Sequence, residues 1–230
     1  MSITVCCLLY GDYPDLALRC LGPIGKLRGS VSDIRVGCNE VSERTLKVLS
    51  DTLSTDSNIT VINESPQIYK YPMMAKLFNA KPILSDYIMW FDDDSYISHE
   101  NPEKWIKNVE DFMSNSKADM AGSLYVVPSS KNQIAWRRLH CPWYTDNNTG
   151  HQSRFATGGW WIIKSEIIKK YGWPHPMLLH RGGDALLGEL MRSQNLKLAS
   201  YRAGVAINAN SSGKESASER RGYDEKPIGS

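Results

Sequence analysis

Along the first hundred residues, short unbroken apolar runs alternate with stretches whose apolar positions recur every three or four residues. That alternation predicts an α/β fold with a sheet built from β-α-β crossovers. Residues Ile3–Leu9 are continuously apolar and end in Tyr10-Gly11-Asp12, which predicts a strand buried on both faces that opens into a loop. A helix broken near Gly22-Pro23 is expected next, carried by Leu16, Leu18, Cys20, Leu21 and Leu27. Asp33–Cys38 reads as a second strand ending at Asn39-Glu40, Ser42–Leu53 as an amphipathic helix, and Asn58–Ile62 as a third strand. Tyr71–Ala80 is a short helix with Pro72 in its first turn, where proline is tolerated. The fourth apolar run, Tyr87-Ile88-Met89-Trp90-Phe91, leads straight into Asp92-Asp93-Asp94.

Beyond residue 100 the periodicity is less regular. Asn101-Pro102-Glu103 opens a helix through about Ser114, and Met120–Val127 reads as a strand. A polar, basic and aromatic stretch follows from Pro128 to Arg154. Phe155–Ile163 is apolar around Gly158-Gly159-Trp160-Trp161, Asp184–Ser193 is helical, and Leu196–Ile207 predicts one last strand. No internal repeat is visible. These elements predict a single domain over residues 1–230: a nucleotide-binding half (1–100), an acceptor-binding and catalytic half (101–207), and a polar tail or lid (208–230).

Composition narrows the classes. With 41% hydrophobic and 23% charged residues the chain reads as an ordinary globular protein, which excludes disordered, collagen-like and coiled-coil chains. No run reaches the ~18 apolar residues of a membrane helix, and Met1–Tyr10 lacks a basic leader, so a cytoplasmic location with no membrane partner is expected. The five cysteines contain no C-x-x-C pair, and free buried thiols are expected in place of bridges or a zinc site. The N-x-S/T sequons at Asn58, Asn63, Asn147 and Asn210 carry meaning only in a secreted protein. A net charge of +2 provides no global field toward nucleic acid or membrane.

Chemistry concentrates after the fourth strand. Three adjacent carboxylates repel one another, so something must compensate them. Side chains alternate along an extended chain, which lets Asp92 and Asp94 face one side and Asp93 the other. Two carboxylates so placed can share one hard divalent cation, Mg²⁺ or Mn²⁺, and strand carboxyl ends are where open α/β sheets bind ligands.

Tyr87–Ile97, with Asp92-Asp93-Asp94 at its centre, resembles the strand and Asp-x-Asp motif of the GT-A-fold glycosyltransferases. The triple-Asp form is similar to that of the fringe and core-1 galactosyltransferase type. Phe155–Trp161 resembles the glycine-rich stretch before the catalytic acid of those enzymes, and Asp184-Ala185-Leu186-Leu187-Gly188 resembles their Asp-x-x-x-Gly helix start. The three blocks occur in the family's order, and the resemblance covers roughly residues 2–207. It implies a Rossmann-like GT-A domain with a mostly parallel central sheet. It also implies transfer of a sugar from a nucleoside diphosphate sugar, a UDP-sugar being favoured, to an acceptor hydroxyl.

On that resemblance Asp92 and Asp94 are expected to hold Mn²⁺ or Mg²⁺ at the departing diphosphate, and Asp93 to orient the motif or contact the donor sugar. Asp184, at a helix start, is the expected base for the acceptor hydroxyl, which implies inversion at the anomeric carbon; Glu189 is a second candidate. Tyr10, Asp12, Asn39 and Glu40 occupy strand ends where a nucleotide is held. Gly158 and Gly159 allow close backbone approach, and Trp160 is expected to stack on a sugar or base. Many relatives carry a metal-binding histidine after the last core strand; here all five histidines precede it, and Asn208 or Asn210 stands near that position. Arg220 and Arg221, with Lys214, are expected to close over the diphosphate.

For the acceptor, Lys131, Arg137, Arg138 and Arg154 against the single acid Asp146, interleaved with Trp136, Trp143 and Tyr144, suit a nucleic acid or an anionic sugar. A hydroxymethylated pyrimidine in DNA is one acceptor that fits. A nucleotide- or DNA-binding module without turnover, and a metal-dependent nucleotidyltransferase, use the same residues.

Overall fold

The computed structural model describes residues 1–53, 58–128, 152–180 and 182–209. Four parallel strands form its first half: β1 (Ile3–Tyr10), β2 (Asp33–Asn39), β3 (Ile59–Glu64) and β4 (Tyr87–Asp92). They are joined by α1 (Pro14–Gly25), α2 (Glu43–Thr52) and α3 (Lys70–Asn79). The second half adds β5 (Tyr96–Ile97), α4 (Pro102–Ser116), β6 (Met120–Pro128), β7 (Gln152–Lys164), α5 (Ser165–Tyr171), α6 (Gly183–Ser193), β8 (Leu198–Ser200) and β9 (Val205–Ala206). The seven-stranded sheet runs β3-β2-β1-β4-β7-β6-β8, and β5 pairs with β9 beside it. Neighbours from β3 to β4, and β6 with β8, are parallel, while β7 is antiparallel to both β4 and β6. This is the mostly parallel α/β architecture expected.

Burial on both faces explains the unbroken apolar runs. Ile3, Val5, Cys7 and Leu9 of β1 pack with α1, α2 and α4, whereas Cys6 and Leu8 pack on the opposite side against α3 and α6. Caps fix where helices begin: Ser42 accepts from the Thr45 N–H at the start of α2, and Asn101 from the Lys104 N–H at the start of α4, with Pro102 following.

Two local expectations are corrected and one helix is added. Helix α1 continues through Gly22-Pro23 to Gly25, because Pro23 lies in its final turn and the helix ends soon after. The stretch Leu196–Ile207 is divided into β8 and β9 by a turn with Gly204 at φ +72°, a conformation glycine adopts readily. Helix α5 was not foreseen, since its seven residues give too short a period to see.

The strand order places the chain's reversal between β1 and β4: from β1 the crossovers move outward to β2 and β3, then return to the other side. Ligands of open α/β sheets bind at such a reversal, outside the strand carboxyl ends. Leu8 pairs with Asp92, so Tyr10, Gly11 and Asp12 rise just beyond Asp92 on the adjacent strand.

Candidate active site

Asp92 ends β4 and is already held by two donors. The Lys70 ammonium donates to Oδ2 at 2.7 Å and the Trp90 indole N–H to Oδ1 at 2.9 Å. The Lys70 side chain is 9% exposed and that of Asp92 17%. Lys70 also donates to the Gly158 carbonyl at 2.9 Å, and its nitrogen lies 5.8 Å from the Tyr71 ring centroid and 6.0 Å from that of Trp90. Burial alone pushes an ammonium's pKa down; here the charges of Asp92, Asp184 and Asp94, with the Asp92 hydrogen bond, outweigh it and hold Lys70 above its ordinary value.

Asp184 stands in the first turn of α6, 26 residues beyond Gly158 in sequence. The Gly158 N–H donates to its Oδ2 at 2.9 Å and the Tyr71 hydroxyl to its Oδ1 at 2.9 Å. Burial, and then the Asp184 charge, push the Tyr71 phenol well up, so it stays a neutral donor. Two adjacent residues of α3 therefore hold two acids: Lys70 takes Asp92 and Tyr71 takes Asp184.

Gly158 makes the convergence possible in two ways. The β6–β7 register shifts between Gly122 and Leu124, so Ser123 faces residues 157–160, and pairing with β4 ends at Trp160. This bulge turns the Gly158 N–H and C=O out of the ladder toward Asp184 and Lys70. Space is the second way: a Cβ at Gly158 would lie 2.5 Å from Asp184 Oδ1 and 2.7 Å from Lys70 Nζ. Glycines 158 and 159 thus serve close approach inside a strand and not a turn.

The entry to α3 is strained. Tyr69, just before Lys70, has φ 66° and ψ 174°, a region nearly reserved to glycine, at a cost of about 1–3 kcal/mol. Two bonds brace this entry: the Ile68 N–H to Asn39 Oδ1 at 2.8 Å, and the Tyr71 N–H to the Leu179 carbonyl at 3.0 Å.

The other expected residues divide. Asp94 lies beside the cluster, with the Ser95 hydroxyl 3.4 Å from its Oδ1 and its carbonyl accepting from the Ala209 N–H. Asn208, at φ 51°, donates from Nδ2 to Thr157 Oγ1 at 3.3 Å and from its backbone to Ser95 Oγ at 3.1 Å. Asp12 is exposed and ion-paired to Arg44 at 3.1 Å; the Ser42 hydroxyl, then Arg44, hold its carboxyl below the usual range. Tyr10 is half-buried on the same rim.

Four candidates are placed differently from expectation. Trp160 is 0% exposed, wedged among Phe91, Trp105 and Tyr201, and Trp161 stacks on Trp90 at 6.1 Å. Helices cover both faces of the sheet, so both tryptophans are core and neither is open to a sugar. Asn39 is fully buried and committed to the Ile68 N–H. Asp93 is 2% exposed, and its charge bears on Cys7, which meets Cys20 of α1 in the core. Glu189 is buried and accepts from Arg192 Nε at 3.0 Å. Asn210, Arg220, Arg221, Lys214 and residues 129–151, with most of the basic-aromatic stretch, lie outside the described residues.

Lys70 and Tyr71 are the residues of the candidate site that sequence reasoning missed. A cation at a helix N-terminus opposes the helix dipole, and that violation is the signal that could have found Lys70. The same lysine decides how a metal fits. Among the described residues no three His, Cys, Asp or Glu side chains are grouped to hold an ion. Both Asp92 oxygens already accept from N–H groups, one of them cationic. As placed, Asp92 Oδ2 accepts from the Lys70 ammonium, so a divalent cation shared with Asp94 would have to displace that cation or share the carboxylate with it.

No protein-family model matches the chain, and no curated protein matches it. Solved structures match its fold. The mannosyltransferase PcManGT from Pyrobaculum calidifontis, in complex with GDP-Man and Mn²⁺, superposes with a TM-score of 0.59 at 12% identity, covering 87% of this chain and 55% of that one. Residues 1–349 of S. aureus TarS in complex with UDP give 0.55 at 13% identity, over 88% of this chain and 58% of that one. The same TarS region has been solved with UDP-GlcNAc, with a TM-score of 0.52 at 14% identity and coverage of 89% and 60%. The chain thus spans a little over half the length of each of these three structures. The likeness establishes the GT-A glycosyltransferase fold. No helix among the described residues is long and apolar enough to cross a membrane.

Proposed function

We propose that the protein is a glycosyltransferase that moves a sugar from a nucleoside diphosphate sugar to an acceptor hydroxyl. One observation carries this: Asp92 and Asp184, distant in sequence, converge on Lys70 and Gly158 at the carboxyl end of β4, beside the chain reversal. The fold matches of PcManGT with GDP-Man and of TarS with UDP-GlcNAc support a donor of this class.

In this scheme the acceptor O–H gives its proton to Asp184 as the oxygen attacks the anomeric carbon. The anomeric C–O bond to phosphate breaks, and its electron pair leaves on the nucleoside diphosphate. Tyr71 and the Gly158 N–H orient the carboxylate, leaving lone pairs on both oxygens for the incoming proton. A base on the face opposite the leaving group gives inversion. Asp94, beside the acids, and Tyr10 and Asp12, on the neighbouring rim, are the remaining donor-side residues.

Incubation with UDP- and GDP-sugars, following the nucleotide released, tests this. Nucleoside diphosphate is the expected product; nucleoside monophosphate with pyrophosphate would identify a nucleotidyltransferase, and release of neither a binding module. The acceptor proposed is a hydroxymethylated pyrimidine in DNA, on the charge and aromatic pattern of residues 128–154. Hydroxymethylpyrimidine DNA that stays unlabelled by a radioactive sugar, while another acceptor is labelled, overturns that part.

A further inference from the structure

The acids of the site were expected to need a metal, yet the structure already supplies one of them with a cation. Lys70 Nζ sits 2.7 Å from Asp92 Oδ2 and 2.9 Å from the Gly158 carbonyl, over the rings of Tyr71 and Trp90, with the charges of Asp184 and Asp94 bearing on the same nitrogen. Oxygen donors around a dry positive centre, backed by aromatic faces, are the surroundings of a bound cation. Strain at Tyr69 and the two bonds bracing it fix the place from which Lys70 reaches in.

We propose that Lys70 is the resident cation of the acid cluster and that it competes with a divalent ion for Asp92, so that the chain's affinity for such an ion is set by this lysine. This rests on the reading of Asp92 and Asp94 as the donor-side acids. Lys70 acts as a positioning residue: it holds Asp92 and the Gly158 carbonyl, and Gly158 in turn holds Asp184. Removing its charge while keeping its bulk takes from Asp92 the ammonium that it is paired with. It also frees Asp92 Oδ2, a hard oxygen donor suited to Mn²⁺.

The test is a titration of Mn²⁺ alone, with no nucleotide, followed by electron paramagnetic resonance of the free ion. Lys70→Met should bind Mn²⁺ at least tenfold more tightly than the unaltered chain, Lys70→Arg should bind as the unaltered chain does, and Lys70→Met with Asp94→Ala should lose the gain. Far-ultraviolet circular dichroism checks each fold, and Lys70→Gln serves if the Met variant does not fold. Equal or weaker Mn²⁺ binding by a folded Lys70→Met or Lys70→Gln variant overturns the inference. A purely structural lysine would not move this readout upward. If the tighter binding is found but no sugar is transferred, the functional reading fails and the competition stands; if sugar is transferred and Mn²⁺ affinity does not rise, only the competition fails.

Discussion

The two ends of helix α3 each bury a basic side chain against an aspartate, and they use it differently. At the C-terminal end Arg35 of β2, 0% exposed, donates from Nε to Asp33 at 2.6 Å, from Nη1 to the Leu77 and Phe78 carbonyls, and from Nη2 to the Pro82 carbonyl. Lys81 adds a second cation to Asp33 at 2.7 Å. Two cations serve one acid there, and the guanidinium also satisfies carbonyls that a helix end leaves without partners. At the N-terminal end one cation, Lys70, serves Asp92 and feels Asp94 and Asp184 as well. The first end is electrostatically closed and holds the helix in place. Among the described residues the second sets three acids about one ammonium, an arrangement that costs stability and suits a site awaiting a ligand.

This contrast predicts opposite consequences for removing either cation. Arg35→Met should destabilise by about 3–5 kcal/mol, because it leaves three carbonyls without their buried donor and Asp33 with Lys81 alone. The same change at Lys70 should cost only about 1–2 kcal/mol, since Asp92 keeps its Trp90 bond and some contact with water. Urea unfolding of both variants decides it; equal losses would erase the distinction between the two ends. Gly158→Ala, which forces a methyl between Lys70 and Asp184, should cost about 1–3 kcal/mol and sugar transfer together. A fully active Gly158→Ala variant would mean that the convergence is not used.

Smaller effects sharpen the comparison. Tyr71→Phe removes one of the two bonds that orient Asp184, and it should lower kcat about tenfold with KM little changed, consistent with a single hydrogen bond to a charged group. Burial pushes the thiols of Cys6, beside the Arg35 end, and Cys38 up to about 12, against about 8.5 in an unfolded chain. Protons are thus held more tightly in the folded state. The resulting stability is complete below about pH 8.5 and declines as pH rises toward 12, by up to about 1.4 kcal/mol per pH unit for each thiol. Unfolding midpoints should be level from pH 7 to 8 and fall from 9 to 10. A flat profile would show these thiols to be open to solvent.

Much of the fold was legible because its strands are buried on two faces. Residues 3–9 and 87–91 can be almost wholly apolar only in a sheet covered by helices, and they stand within a residue of β1 and β4. The same double cover misled at Trp160 and Trp161, where one-sided burial was assumed. Within the site, the Asp-Asp-Asp run announced itself as a local excess of charge. Its partner Lys70 lies 22 residues away and the Tyr71–Asp184 bond spans 113, and no local pattern reports such pairings. The β7 bulge that turns Gly158 toward them depends on the register with β6, which is likewise set in three dimensions.

The central claim is that Asp184 takes the acceptor's proton in a site that holds the donor independently of it. The direct measurement pairs calorimetric titration of a nucleotide sugar with single-turnover transfer, in the unaltered chain and in Asp184→Asn. Donor affinity should be the same within about twofold while transfer falls by about 10²–10⁴. Transfer by Asp184→Asn at the unaltered rate would contradict the account.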